Sequence, residues 1–134
     1  MTGKFKVGKT SKEDYIKFLK KADEFFEIMQ ESLKKEKWNA AGLNAIHAGI
    51  SANDALLTFH FGMRSISSKH DDAVRLLISM IKQDETEKKA KHLRKLISMK
   101  NIVEYEGRLF LKGEAESLAK HAERFLDWVK SLLP

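Results

Sequence analysis

One helix-forming stretch of the sequence carries four polar side chains at steps of four, three and four residues, which places them on one helix face. These four residues are His47, Ser51, Asp54 and Thr58. A carboxylate among apolar and small residues is costly unless a partner pairs with it. The candidate partners of this carboxylate are Arg64, His70 and Lys100. The stripe predicts a buried hydrogen-bond network, a ligand or active site around His47 and Asp54, or a self-association surface.

The same stripe is poorly spaced for a metal ion. His47 and Asp54 are seven residues apart, so their Cα atoms are separated by roughly 10 Å along a helix. Two ligands on one helix usually stand three or four residues apart, and the sequence contains no HxxxH or HExxH pattern. We therefore expect neither a metal ion nor another cofactor.

A second cluster combines a base, an amide, an acid and a phenol within six residues. It consists of Lys100, Asn101, Glu104 and Tyr105. Such a set could perform acid–base chemistry, and these four are the candidate catalytic residues. The alternative is structural: Lys100 and Glu104 are spaced to form an ion pair on one helix face, with the aromatic ring packed beside it.

The segment from Gly62 to His70 is rich in serine and leads into the next predicted helix. Hydroxyl groups, basic side chains and a helix start together suit a phosphate or another anion. The serines could serve equally well as turn and capping residues. Both interpretations stay open at this stage.

The composition indicates the elements that must hold these residues. The chain has 134 residues with 43% hydrophobic and 33% charged, and its single proline is Pro134, so long helices can run without interruption. It has no cysteine, which excludes disulfides and thiolate chemistry and favours a cytoplasmic location. The residues 1–10 contain no apolar segment typical of a signal peptide, and no stretch is long enough for a membrane span. The net charge of +6 raises the expectation of an anionic partner.

Apolar periodicity predicts an all-α fold, an antiparallel up-and-down bundle of about five helices. Residues 1–10 are expected to form a flexible leader, and residues 11–134 a single helical domain. The predicted helices span about Ser11–Leu33, Trp38–Phe61, Ala73–Ile81, Glu87–Glu104 and Glu114–Leu133. The second helix differs from the rest because small residues dominate it and Asp54 is its only formal charge between Asn39 and Thr58. This composition is typical of a central helix that is packed on several sides.

The order of these parts resembles the HEPN superfamily of helical-bundle domains over residues 13–133. The segments that carry the resemblance are Asn44–Leu56, Leu96–Tyr105 and Ala115–Phe125. The resemblance implies a homodimer. It also implies a role in toxin–antitoxin, defence or RNA-processing systems, with RNA or a nucleotide as ligand and a nucleotidyltransferase-type protein as partner.

Nuclease members of that family carry an arginine, a polar residue and then a histidine four to six residues beyond the arginine. In this sequence Lys100 stands at the arginine position and Asn101 at the polar one, while Tyr105 lies nearest the histidine position. Lysine lacks the guanidinium fork, and tyrosine does not titrate near neutral pH. We therefore expect a non-catalytic binding or interaction module. The alternatives are a divergent metal-independent ribonuclease and a small-molecule-binding protein with a pocket around His47 and Asp54.

Overall fold

The computed structural model describes residues 5–69 and 71–134, and within them the chain is an antiparallel bundle of helices with one short antiparallel strand pair. The elements in chain order are β1 (Val7–Lys9), a 3₁₀ turn (Lys12–Asp14), α1 (Tyr15–Lys34), α2 (Trp38–Phe61), β2 (Met63–Ser65), α3 (Asp72–Met80), α4 (Thr86–Ser98), α5 (Lys100–Tyr105) and α6 (Lys112–Ser131). The predicted all-α class is confirmed. Among the described residues, no helix combines the length and the apolarity needed to cross a membrane.

Helix α2 is the central element, as its composition predicts. It contacts α1 along its length and also touches α4 and α6. Two groups of buried side chains lie against it: one centred on Leu56 and Phe125, the other on Ile46 and Leu118. A helix buried on several sides cannot carry charges around its surface, which explains why its residues are small or apolar.

Two glycines of α2 mark places where another side chain approaches the helix backbone. A Cβ atom on Gly42 would collide with the ring of Phe110, and one on Gly49 would lie 2.5 Å from Leu96 Cδ1. Glycine in a helix interior costs about 1 kcal/mol relative to alanine. The burial of Phe110 and Leu96 against the bare backbone offsets that cost.

The chain before α1 departs from the expected flexible leader. Val7–Lys9 forms β1 and pairs antiparallel with β2, with Gly8 opposite Arg64. Just beyond the pair, the Thr10 amide donates to the Gly62 carbonyl at 2.9 Å, and Gly62 itself adopts a left-handed φ of 63° at the end of α2. Three-residue strands are too short to show an alternating pattern in a sequence, which is why the sequence gives no sign of this strand pair. Residues 1–4 of the expected leader lie outside the described residues.

The predicted fourth helix is divided in two. α4 ends at Ser98, where the Met99 amide donates to the Leu96 carbonyl, a bond that tightens the last turn, and α5 then begins at Lys100. The Ser98 hydroxyl donates to the Lys95 carbonyl at 2.7 Å, which competes with continuation of the helix. The break turns α5 across the end of the bundle, toward α2.

Candidate functional site

A cavity of about 370 Å³ lies where α2, β2 and its following loop, α4 and α5 meet. Ligand pockets in proteins usually measure about 300–1,000 Å³, so the space suits a small organic molecule. One wall is apolar and comes from Ile50, Ile66, Ala73, Leu93 and Ile97. The polar lining comes from Asn53, Asp54, Arg64, Ser65, Ser67, Ser68, Lys69, Lys100, Asn101, Glu104 and Tyr105. Two of the sequence motifs and the serine-rich segment therefore meet in one place.

The most buried charge in this cavity is the carboxylate of Asp54. Its side chain is only 8% exposed, and its Oδ2 lies 3.3 Å from Nε of Arg64. Of the three partners that the sequence left open, the structure pairs this carboxylate with Arg64. The guanidinium also lies 5.3 Å from the ring centre of Phe18 on α1, and the strand pairing with Gly8 fixes the backbone that carries it.

Burial raises the pKa of Asp54 to about 6, because a desolvated carboxylate favours its neutral form. The positive charges of Arg64 and, more weakly, Lys21 oppose this rise without cancelling it. The ion pair also lacks the alignment of a hydrogen bond, since Arg64 Nε has no hydrogen-bond acceptor among the described residues. Asp54 can thus change its charge in the weakly acidic range.

Asn53 is a lining residue that the sequence did not single out. Its side chain is 2% exposed, and its Oδ1 accepts no hydrogen bond from any described residue. A buried amide oxygen without a donor is uncommon in folded proteins, and water or a ligand usually supplies the missing donor. The available signal was an asparagine in the middle of a long helix of small residues, a position that asparagine disfavours.

The four candidate catalytic residues also line the cavity. Lys100 Nζ lies 3.6 Å from Glu104 Oε1, so these two side chains form the ion pair that their spacing allows. Tyr105 is 79% exposed and stands at the rim, which is unlike the packed aromatic of the structural interpretation. Asn101 is also exposed at the rim. The group offers an amide and a cation to a ligand, with the phenol at the entrance.

Of the four residues in the predicted polar stripe, Asp54 lines the cavity and the other three do not. Ser51 is buried but does not line it, and Thr58 is used elsewhere: its hydroxyl accepts a hydrogen bond from Thr10 at 3.0 Å. His47 lies outside the lining, with its ring 5.4 Å from that of Phe25. Burial lowers the pKa of His47, and the nearby charge of Lys100 lowers it further. His70 lies outside the described residues.

The serine-rich segment forms the mouth of the cavity. The Ser67 hydroxyl donates to Asp72 Oδ2 at 2.7 Å and accepts from the Lys69 amide at 3.1 Å, so this serine orders the turn before α3. Ser65, Ser68 and Lys69 also line the cavity. Anion binding by this segment stays a prediction, and the turn-forming role applies to Ser67.

The arrangement favours a ligand with an apolar flat part and an anionic part. The apolar wall can cover a ring, the two asparagine amides can bond to its polar edge, and Arg64, Lys69 and Lys100 supply positive charge. Formal charges at the lining favour an anion, because these three cations face only the carboxylates of Asp54 and Glu104. Within residues 5–69 and 71–134 no group of three or more histidine or acidic side chains is placed to hold a metal ion.

A comparison with protein families finds one match, the HEPN domain, over residues 15–132. Neither a curated protein nor a solved structure matches the chain.

Proposed function

The chain belongs to the HEPN domain family, and from this premise we propose that it is a non-catalytic module that binds a nucleotide in the cavity beside α2. The observation that carries the proposal is the composition of that cavity. Cations, amides and an apolar wall face one space of about 370 Å³. These are the groups that a phosphate, a base edge and a base ring require.

The phosphate is expected at the side of the cavity formed by Lys69 and Lys100. Both side chains reach the lining from solvent-accessible positions, so each can approach a phosphate without strain on the core. Arg64 is engaged with the buried carboxylate of Asp54, whereas Lys100 is paired with the more exposed Glu104, from which a phosphate can draw it away. We therefore assign charge recognition to the two lysines and the positioning of the buried carboxylate to Arg64.

The absence of catalysis is proposed from the state of the candidate acid–base groups. The amine of Lys100 lies 3.6 Å from the Glu104 carboxylate, so it is engaged in an ion pair. The Tyr105 side chain is 79% exposed, so the cavity does not enclose its phenol. Neither side chain is held in the desolvated, fixed position that a general acid or base requires.

The test is a calorimetric titration of the purified protein with AMP and ADP. Lys69→Ala and Lys100→Ala should each weaken binding about tenfold, since a hydrogen bond to a charged group contributes about 1.5–3 kcal/mol. Lys34→Ala is the matched control, because Lys34 is an exposed lysine that does not line the cavity. The proposal fails if the unaltered protein binds neither nucleotide, or if all three variants bind equally well.

A divergent metal-independent ribonuclease is the second candidate, and one observation favours it: Lys100, Asn101, Glu104 and Tyr105 all border the same cavity. Incubation with a labelled RNA distinguishes the two functions. Cleavage that disappears in both Lys100→Ala and Tyr105→Phe would replace the binding proposal with a nuclease. Intact RNA after incubation with a protein that binds AMP would support the binding module.

Membership of the family also leads us to propose a cytoplasmic homodimer with a nucleotidyltransferase-type protein partner, in a toxin–antitoxin or RNA-processing setting. Large apolar side chains lie exposed on α1 and before α6 and offer surface for such contacts. They are Ile16, Ile28, Leu109 and Leu111. Light scattering of the purified protein measures its oligomeric state, and a monomer at all concentrations would contradict the proposed homodimer.

A further inference from the structure

A second cluster of titratable side chains lies away from the cavity, where α4 packs against α6. Nδ1 of His92 and Nδ1 of His121 are 2.9 Å apart, and their ring centres are 5.1 Å apart. Two ring nitrogens at this distance require one to donate a proton and the other to accept it. Both rings are partly exposed, so a molecule from solvent can reach them.

The charges around this histidine pair are all of one sign. Burial is the largest cause that lowers the pKa of each imidazole, and neighbouring cations lower both further. These cations are Lys88, Lys89 and Lys95 on α4 and Arg124 on α6. Among the described residues, no carboxylate contributes to either shift. The cluster thus concentrates positive charge, and the carboxylate that interacts with it, Glu114 near Lys95, is itself paired with Arg108.

The sequence of α4 extends the cluster into a stripe. From Lys88 to Ser98 the helix carries five lysine or arginine residues and no acidic residue. Lys88, His92 and Lys95 follow at steps of four and three, so they share one face over roughly 10 Å. Leu93 and Ile97, the α4 residues that line the cavity, point away from that face.

We propose that His92 and His121, with Lys95 and Arg124 beside them, bind a phosphate group of an RNA backbone on this α4–α6 surface. The choice of RNA as the polyanion rests on the proposed function, whereas the anion site rests on the cluster itself. An incoming phosphate oxygen accepts hydrogen bonds from both Nδ1–H groups once each ring carries its proton. The phosphate also supplies negative charge beside the two rings, where only cations act on them.

Binding at this site is coupled to proton uptake. In the neutral pair one ring donates from Nδ1, while the other accepts at Nδ1 and carries its own proton on Nε2. A proton taken up from solvent at the accepting Nδ1 makes that ring an imidazolium, which donates to the phosphate and adds the positive charge that an anion favours. The affinity for RNA therefore rises as the pH falls. The same four cations oppose a divalent metal ion, which a pair of imidazoles would otherwise attract.

The experiment measures fluorescence anisotropy of a labelled oligouridylate of twelve nucleotides with the full chain at pH 6 and pH 8, at low ionic strength. The unaltered protein should bind at least about threefold more tightly at pH 6. Lys95→Ala/Arg124→Ala should weaken binding about tenfold, since two phosphate contacts are lost. Lys20→Ala/Lys34→Ala on α1 removes the same charge from exposed positions elsewhere and should have a much smaller effect.

The histidines are tested by His92→Gln/His121→Gln, which should remove the pH dependence. A melting curve for each variant checks that it folds. The proposal is overturned if Lys95→Ala/Arg124→Ala binds RNA as tightly as the α1 control, or if the pH dependence survives in the glutamine variant. Failure of the cavity proposal looks different, because AMP would then fail to bind while the oligouridylate still does.

Discussion

The two halves of α2 meet the rest of the molecule in different ways. In the first half, Gly42 and Ala45 lie directly against neighbouring side chains, with no charge among them. The second half buries Asn53, Asp54 and Thr58 instead, and two of these polar side chains line the cavity. The second half is the more buried of the two, since every residue from Ser51 to Thr58 is buried, so burial alone does not explain its polar side chains.

The comparison separates the part of α2 that stabilises the bundle by packing from the part whose buried polar groups reduce stability. Small residues in the first half allow close contact and stabilise the bundle. A buried amide without a donor and a carboxylate with a raised pKa reduce stability in the second half. A helix that only had to pack would carry apolar residues at both positions. The polar half is therefore the part of α2 that lines the cavity of the proposed ligand site.

The largest effect on the free energy of unfolding is expected from Asp54→Asn. The folded-state pKa of about 6 lies above the ordinary value of 3.8, so the protonated form stabilises the fold fully below about pH 4. That contribution disappears as the pH rises through 6, a difference of about 3 kcal/mol. The asparagine variant stays neutral and should exceed the unaltered protein in stability at pH 7, with the two converging near pH 4.

Urea denaturation at a series of pH values measures this difference. Arg64→Lys is the useful companion, because it keeps a cation near the carboxylate but removes the guanidinium. A lower stability of Asp54→Asn at pH 7 would show that the ion pair outweighs the cost of burial, and the contrast between the two halves of α2 would be lost.

In the first half of α2, Gly42→Ala is expected to lower the free energy of unfolding, by a smaller amount than Asp54→Asn raises it at pH 7. Alanine improves helix propensity by about 1 kcal/mol, but the new methyl group meets the buried ring of Phe110. Overpacking of this kind costs about 1–3 kcal/mol, so we expect a net loss of about 1 kcal/mol in the free energy of unfolding. Gly113→Ala is the control, because a Cβ there meets no atom within 4 Å. Equal stability of Gly42→Ala and the unaltered protein would mean that Phe110 can move aside.

The smallest effect is expected from Thr58→Val. The substitution keeps the shape of a fully buried side chain but removes the acceptor of the 3.0 Å hydrogen bond from Thr10. The loss should be about 0.5–1.5 kcal/mol, measured by chemical denaturation. Thr10→Val removes the same bond from the other side and should cost less, because the Thr58 hydroxyl also donates to the Met63 carbonyl at 3.5 Å. Equal costs for the two variants would indicate that this longer bond to Met63 contributes nothing to stability.

The sequence predicted the parts of the fold that depend on local periodicity. The bounds of α2, Trp38–Phe61, agree with the prediction, since a stretch of small and apolar residues ends at a glycine that can adopt a left-handed backbone. The break after Ser98 was missed, because the apolar spacing continues through it from Leu96 to Val103. Periodicity reports which face is buried and does not report where the helix axis turns.

The site was predictable only where its residues share a helix or a short segment. The spacing of Lys100 and Glu104 was enough to foresee their ion pair. The contact of Asp54 with Arg64 was one of three options, because it depends on a strand pairing that leaves no pattern in the sequence. His92 and His121 lie on different helices, so no local spacing could bring them together.

The position of Arg64 follows from the matched lengths of two helices. α2 has 24 residues and a length of roughly 36 Å. α1 has 20 residues, or roughly 30 Å, and the 3₁₀ turn Lys12–Asp14 before it adds roughly 6 Å. Because the two run antiparallel, the chain returns after α2 to the level at which α1 began, and there β2 meets β1. The lengths of the two helices therefore determine the strand register. One full turn more or less in either helix would place β2 about 5 Å away from β1 and move the guanidinium off Asp54.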